Sequence, residues 1–235
     1  MALKVEIKKA LPNFDLEISF TSKREELKVL IGPSGAGKTT LIRIIAGLER
    51  PDEGYVSYNG QIWVDTSKGI FLPPQKRRIG YVFQDYILFP HLTVYKNVAF
   101  STPDREEVEG LLKLFDIWDL RESRPHQISG GERQRCAICQ SLARRPQVLL
   151  LDEPFSALDV ENRRKLRQEL KSLKEKLSLP MIHVTHDLSE ALLLGDDILP
   201  IVRGKITPEW LNRQLAEISE DEILTKAITV GLQAF

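Results

Sequence analysis

Val29-Leu30-Ile31-Gly32-Pro33-Ser34-Gly35-Ala36-Gly37-Lys38-Thr39-Thr40 decides the fold. It carries the spacing G-x-x-x-x-G-K-[ST], with Gly32, Gly37, Lys38 and Thr39 at the fixed positions. Three apolar residues that read as a buried strand precede it, and Leu41, Ile44, Ile45 and Leu48 follow at helical spacing. Strand, glycine-rich turn and helix in that order make a phosphate-binding loop. The glycines let the backbone turn tightly so that successive N–H groups point at one anion, and the helix adds its positive end. Gly32, Pro33, Ser34, Gly35, Ala36, Gly37, Lys38, Thr39 and Thr40 are therefore the candidate nucleotide-binding residues. Lys38 is expected to reach the β and γ phosphates, and Thr39 to offer its hydroxyl to Mg²⁺. A glycine-rich turn with a chance lysine is the plain alternative, and the flanking strand and helix count against it.

The chain has 235 residues, 42% hydrophobic and 28% charged, enough to bury a sizeable core as one domain with or without a sub-domain. Lys+Arg and Asp+Glu balance at 33 each, so no global basic field argues for nucleic acid. The N-terminus is charged at alternate positions and lacks the apolar core of a signal peptide. No run approaches the roughly 18 apolar residues a membrane span needs, so a cytoplasmic chain is expected. Cys136 and Cys139 have the C-x-x-C spacing of redox and metal motifs. They fall in a helical pattern without a second ligand pair, and two ligands cannot complete a tetrahedral zinc site. Buried helix cysteines acting as small apolar residues are expected.

Taken in order, residues 3–31 read as strands. Phe14, Leu16, Ile18 and Phe20 alternate with Asp15, Glu17 and Ser19, the period of an antiparallel strand with one wet face. Within residues 55–64, Asn59-Gly60 supplies the two positive-φ positions of a type I′ hairpin turn. A short apolar strand over residues 79–83 runs into Gln84. Residues 85–145 show helical spacing at Val108, Leu111, Leu112 and Phe115 and no strong strand, so a helical sub-domain inserted in the sheet is expected. Val148-Leu149-Leu150-Leu151-Asp152 is an apolar run ending in an acid, as in a central parallel strand whose carboxyl end meets a ligand crevice. A charged amphipathic helix over residues 160–177, a strand over 181–185 and the ensuing alternation imply βαβ units. Trp210, Leu211, Leu215, Ile218, Ile223, Leu224 and Ile228 suggest an amphipathic helical tail. The expected class is α/β: a phosphate-loop NTPase core with a mostly parallel sheet and an N-terminal antiparallel β piece, over residues 1–206, followed by a tail over 207–235.

Two further stretches sharpen the chemistry. Asp152 at a strand end can hold Mg²⁺, and Glu153 beside it can polarise an attacking water, which hydrolysis needs and binding alone does not. Ser129-Gly130-Gly131-Glu132 reads first as a capping box. That leaves two glycines in the first turn, each costing up to about 1 kcal/mol relative to alanine. A serine hydroxyl beside bare helix N–H groups suits a second contact to a triphosphate.

Residues 32–39, Gln84, residues 129–132 followed by Arg133-Gln134-Arg135, residues 148–153, Ser156-Ala157-Leu158-Asp159 and His186 stand in the order and rough spacing of an ATP-binding cassette transporter ATPase, which the chain resembles over residues 1–206. Within that family residues 72–92, with Ser-Gly-Gly-Glu in place of the commoner Ser-Gly-Gly-Gln, resemble importer subunits. Those for molybdate or tungstate are the most similar, and sulfate, iron and polyamine importers share part of the pattern.

The resemblance implies a head-to-tail homodimer in which each ATP lies between the phosphate loop of one copy and Ser129, Gly130, Gly131 and Glu132 of the other. It implies that Gln84 contacts Mg²⁺ or the attacking water, that Thr39 and Asp152 serve Mg²⁺, that Glu153 is general base and that His186 holds the γ phosphate, with Asp159 at the dimer seam. It further implies a transmembrane permease that docks on the helical segment including Tyr86, Phe89 and His91, and a substrate-binding protein engaged indirectly. The enzyme would sit peripherally on the inner face of the membrane, with no nucleic acid partner. The family stacks adenine on an aromatic of the N-terminal strand region; Leu11 and Phe14 are nearest, and the phase of Phe14 with Leu16 and Ile18 puts it in the core. An exporter ATPase shares the catalytic motifs, and a permease-free cassette protein acting on nucleic acid or the ribosome is the rival from another class.

Overall fold

The computed structural model describes residues 2–156, 167, 168, 170, 171, 174, 177 and 179–217. Strands β1 (Ala2–Leu11) and β2 (Phe14–Lys23) pair antiparallel with Leu11 opposite Phe14. Strand β3 (Leu27–Ile31) leads through the glycine-rich turn into α1 (Lys38–Ala46). Strands β4 (Glu53–Tyr58) and β5 (Gln61–Asp65) form the expected hairpin, with φ of +50° at Asn59 and +82° at Gly60. With β6 (Ile70–Phe71) these make a five-stranded antiparallel sheet of order β2-β1-β4-β5-β6. Strands β7 (Ile79–Val82), β8 (Val148–Asp152), β9 (Met181–Thr185), β10 (Asp197–Val202) and β11 (Lys205–Ile206) join β3 in a six-stranded sheet. Its order is β11-β10-β3-β9-β8-β7, and every neighbouring pair except β10 with β11 is parallel.

Successive side chains of a strand point to opposite faces, and here both faces of the parallel sheet are covered. Leu30, Val148, Leu150, Ile182 and Val184 join Leu41, Ile42, Ile44 and Ile45 of α1 and the inward faces of β1 and β2 in one cluster. Helix α1 is thus held between the two sheets. On the other face Leu27, Val29, Ile31, Leu149, Leu151 and Met181 pack against three helices, α2 (Val94–Ala99), α3 (Arg105–Leu114) and α4 (Gly130–Leu142). Helix α5 (Leu188–Leu194) contributes Ala191 and Leu194 to the same cluster, and α6 (Pro208–Glu217) adds Trp210 at its margin. Two-sided burial is why β8 is apolar up to Asp152 and β3 is apolar at every position but Lys28.

Residues 85–145 contain α2, α3 and α4 and no strand, in keeping with the helical segment read from the sequence. Cys136 and Cys139 are both fully buried in α4, and burial pushes the Cys136 thiol up to about 12. Most of the helix expected over 160–177, and the tail beyond residue 217, lie outside the described residues. Among the described residues no helix is long and apolar enough to cross a membrane.

Candidate nucleotide site

The parallel register sets the site. Ile31 lies opposite Thr185, Val184 opposite Asp152, and Leu151 opposite Val82. The residues that follow each strand, Gly32, His186, Glu153 and, after Phe83, Gln84, therefore emerge along one edge, the carboxyl ends where open α/β sheets bind ligands. Ser34, Gly35, Ala36, Gly37, Lys38, Thr39 and Thr40 line a cleft of 480 Å³ together with Gln84 and Glu153, and the tip of the β1–β2 hairpin closes one side.

The loop's shape depends on backbone positions only glycine fills. Gly32 has φ +156°, and a Cβ there would lie 1.9 Å from the Ile201 carbonyl oxygen of β10. Gly37, the N-cap of α1, has φ +98°. No side chain caps this helix and no acid sits in its first turn, so its leading N–H groups face the cleft with their partial positive charge uncompensated. The Gly204 amide donates to the Ala36 carbonyl at 3.0 Å and ties the loop to the β10–β11 turn.

Lys38 is 4% exposed and folds back, its Nζ donating to the carbonyls of Gly32 at 2.7 Å and Pro33 at 2.9 Å. Burial lowers its pKa, with the carboxylates of Glu153 and Asp152 acting in the opposite sense. Asp152 is buried below the loop. Thr39 donates to its Oδ1 at 3.1 Å and Tyr81 to its Oδ2 at 2.9 Å. Burial raises the Asp152 pKa, and these two donors restrain the rise. Burial, and then Asp152, also raise the phenol of Tyr81, which stays a donor.

Glu153 takes a left-handed φ of +45°, a strained backbone of the kind that collects at functional sites. Its Oε2 lies 3.1 Å from Nδ1 of His186, whose side chain is 55% exposed. Beneath His186, the Thr185 hydroxyl donates to the buried Glu190, and Arg167 bridges Glu190 at 2.7 Å and Asp187 at 3.0 Å. Burial works against ionisation of Glu190, but His183, Arg167 and Thr185 outweigh it and pull its pKa down to about 2.

The serine-glycine stretch forms the expected capping box: Ser129 Oγ accepts from the Glu132 N–H at 3.4 Å, and Glu132 Oε2 accepts from the Ser129 N–H at 2.7 Å. Ser129, Gly130, Gly131 and Glu132 do not line the phosphate-loop cleft of their own chain. Asp159 lies outside the described residues. Phe14 differs from its expected core position. It is half-buried at the hairpin tip, on the cleft wall, 3.5 Å from where a Cβ on Gly37 would sit. The alternation that put it in the core holds for Leu16, Ile18 and Phe20, where β1 and α1 cover the strand, and lapses at the strand's first residue.

Two features had no local signal. Arg77, from the basic run Lys76-Arg77-Arg78, is buried and donates to the carbonyls of Ile44 and Ile45, closing the C-terminus of α1. Tyr81 meets Asp152 only because β7 lies beside β8. Farther along, an apolar groove of 370 Å³ runs between α1, β7 and the helical segment, lined by Leu48, Tyr81, Phe83, Ile87, Phe89 and Phe100. Ile87 and Phe100 are 58% and 67% exposed, so the groove presents large apolar groups to solvent. Tyr86 turns away from it, donating to the Pro154 carbonyl.

The "ABC transporter" family model matches residues 16–156. The chain is 46% identical, over 92% of its length and 91% of the relative's, to a probable sulfate/thiosulfate import ATP-binding protein of Chlorella vulgaris. It is 40% identical, over 95% and 92%, to a molybdate/tungstate import ATP-binding protein of Archaeoglobus fulgidus, and 44% identical, over 80% and 53%, to a trehalose/maltose import ATP-binding protein of Thermococcus litoralis. Among solved structures, the dimeric post-hydrolysis state of an ATP-binding cassette, MJ0796, bound to ADP and Pi, superposes with a TM-score of 0.72 at 29% identity, covering 88% of this chain and 96% of that one. The motif series, the carboxyl-edge cleft and these likenesses agree, and the chain belongs to the ABC transporter family, as an ATPase domain.

Proposed function

We propose that the chain is the ATP-hydrolysing subunit of an importer, and that two copies close head to tail on ATP. The observation that carries this is the division of the site: the phosphate loop, Gln84, Asp152, Glu153 and His186 gather at one edge, whereas Ser129, Gly130 and Gly131 do not line that cleft. A second copy supplies the missing wall, with Asp159 at the seam. Lys38 exchanges the Gly32 and Pro33 carbonyls for the β and γ phosphates, and the open N-terminus of α1 takes the same charge. Phe14 and Leu11, on the hairpin wall, take the adenine.

The donor set suits Mg²⁺. Thr39 and Asp152 offer hard oxygens 3.1 Å apart, and among the described residues no cluster of three or more His, Cys, Asp or Glu forms an all-protein cage. Mg²⁺ supplies charge neutralisation on the phosphates. Gln84 lies at the cleft to orient the water, and Glu153 accepts its proton. His186 cannot serve both partners when neutral. With Nδ1–H on Glu153, its other nitrogen has no hydrogen for the γ phosphate, so it grips phosphate only as the imidazolium or after releasing Glu153.

The groove of Ile87, Phe89 and Phe100 receives the permease, and residues 85–145 act as a helical sub-domain inserted in a 1–206 ATPase domain. The subunit then works peripherally at the inner face of the membrane, without nucleic acid, as the balanced charge also favours. The cargo is an oxyanion, molybdate or tungstate, on the resemblance over residues 72–92. Sulfate and sugar relatives of comparable identity make other cargoes the outcome to exclude.

Glu153→Gln tests the core of this reading. The variant is expected to bind ATP, to accumulate as a dimer on size-exclusion chromatography, and to lose turnover by about a hundredfold or more. Undiminished turnover would remove Glu153 as the base. For the cargo, ATP turnover of the chain reconstituted with its permease is expected to rise with molybdate-loaded binding protein and not with the maltose-loaded kind; the reverse overturns the oxyanion assignment.

A further inference from the structure

The second hydroxyl on Asp152 comes from a strand edge rather than from the phosphate loop. Asp152 has two carboxylate oxygens, each engaged by one hydroxyl: Thr39 on Oδ1 at 3.1 Å and Tyr81 on Oδ2 at 2.9 Å. Thr39 belongs to the loop that takes nucleotide, so its bond to Asp152 must readjust when a cation enters between them. Tyr81 belongs to the sheet. It stands opposite Leu150 in the parallel β7–β8 register, and its ring packs on Phe83 with centroids 4.2 Å apart. A ring with two torsions, backed by an aromatic neighbour and fixed by its strand, is a stiff arm, and its hydroxyl is the donor to Asp152 that has no reason to move. Carboxylates that bind metals are themselves held by hydrogen bonds, and loss of such partners typically weakens metal affinity about 10- to 100-fold.

We propose that Tyr81 is a positioning residue for the cation site: by holding Oδ2 it fixes the rotamer in which Oδ1 faces Thr39 and the phosphate loop. The inference rests on the assignment of Asp152 and Thr39 to Mg²⁺ above. Tyr81→Phe removes one oxygen and leaves the ring packing, so folding is preserved.

The test uses the full chain and a fluorescent ATP analogue, titrated with Mg²⁺ and separately bound in EDTA, for the wild type, Tyr81→Phe and Asp152→Asn. Tyr81→Phe is expected to raise the Mg²⁺ concentration at half-maximal binding by about tenfold, with nucleotide affinity in EDTA unchanged and a thermal midpoint lowered by no more than the loss of one buried hydrogen bond. Asp152→Asn is expected to lose most of the Mg²⁺ response. If Asp152→Asn titrates like the wild type, the assignment of Asp152 fails. If Asp152→Asn loses the response but Tyr81→Phe does not shift, the role of Tyr81 alone is overturned. Weakened binding of Tyr81→Phe equally in EDTA and in Mg²⁺ would make Tyr81 a structural prop and overturn the inference as well.

Discussion

Helices α1 and α4 both carry glycine at their starts, and they begin in opposite ways. Helix α1 starts behind Gly37 in the left-handed region, with no capping side chain and no acid in its first turn. Helix α4 starts behind Ser129, with the Glu132 N–H donating to the Ser129 hydroxyl and the Glu132 carboxylate turned back to accept from the Ser129 N–H. The first leaves its orphan donors for a ligand. The second satisfies one of its own, the Glu132 N–H, and leaves Gly130 and Gly131 as bare backbone that a partner copy's nucleotide can approach. A third start, α5, shows the closed design at full strength: Asp187 caps it, and Glu190 in its first turn is locked by Thr185 and Arg167. An anion site at a helix N-terminus is thus a matter of what is withheld.

The contrast breaks most readily at Lys38, the cation that stands in front of the open start. Lys38→Ala is expected to weaken ATP binding by about a hundredfold, the loss of a charge-assisted contact worth about 3 kcal/mol, measured by fluorescent-nucleotide titration. Next in size is Glu190→Gln at the closed start. The Glu190 carboxyl falls from an ordinary 4.5 to about 2 in the fold, so its stabilisation is complete above pH 4.5 and is lost as pH falls towards 2. Over that window the wild type is expected to lose roughly 3 kcal/mol more than Glu190→Gln in denaturant titrations, and equal losses would show the carboxyl unshifted. Smallest is Glu132→Gln. A glutamine can still accept from the Ser129 N–H, so ATP affinity is expected to change less than tenfold and stability by about 0.5 kcal/mol or less. A rise of ATP affinity beyond tenfold would mean that the carboxylate faces the phosphate rather than its own cap.

What could be read in the sequence was what neighbours in the chain determine. The glycine spacing before α1, the Asn59-Gly60 turn and the Ser129-to-Glu132 box are local hydrogen-bond patterns. The apolar runs of β3 and β8 announced burial on both faces. Illegible were contacts fixed by the order of strands: Tyr81 on Asp152, Arg77 on the end of α1, and the hairpin tip that carries Phe14 over Gly37. Nothing near Arg77 in the chain tells that its partners are the carbonyls of residues 44 and 45. Phe14 followed the strand's phase into the core, but strand phase says nothing about where the covering layer stops.

The phosphate loop is moulded from outside its own motif. Ile201 leaves no room for a Cβ on Gly32, and the Gly204 amide holds the Ala36 carbonyl while the Gly204 carbonyl accepts from the Glu17 amide. A side chain on Gly204 would strike the Asp15 carbonyl oxygen at 2.3 Å. A chain that ended before residue 200 would keep every residue of the proposed phosphate site and lose the cast in which the loop sets.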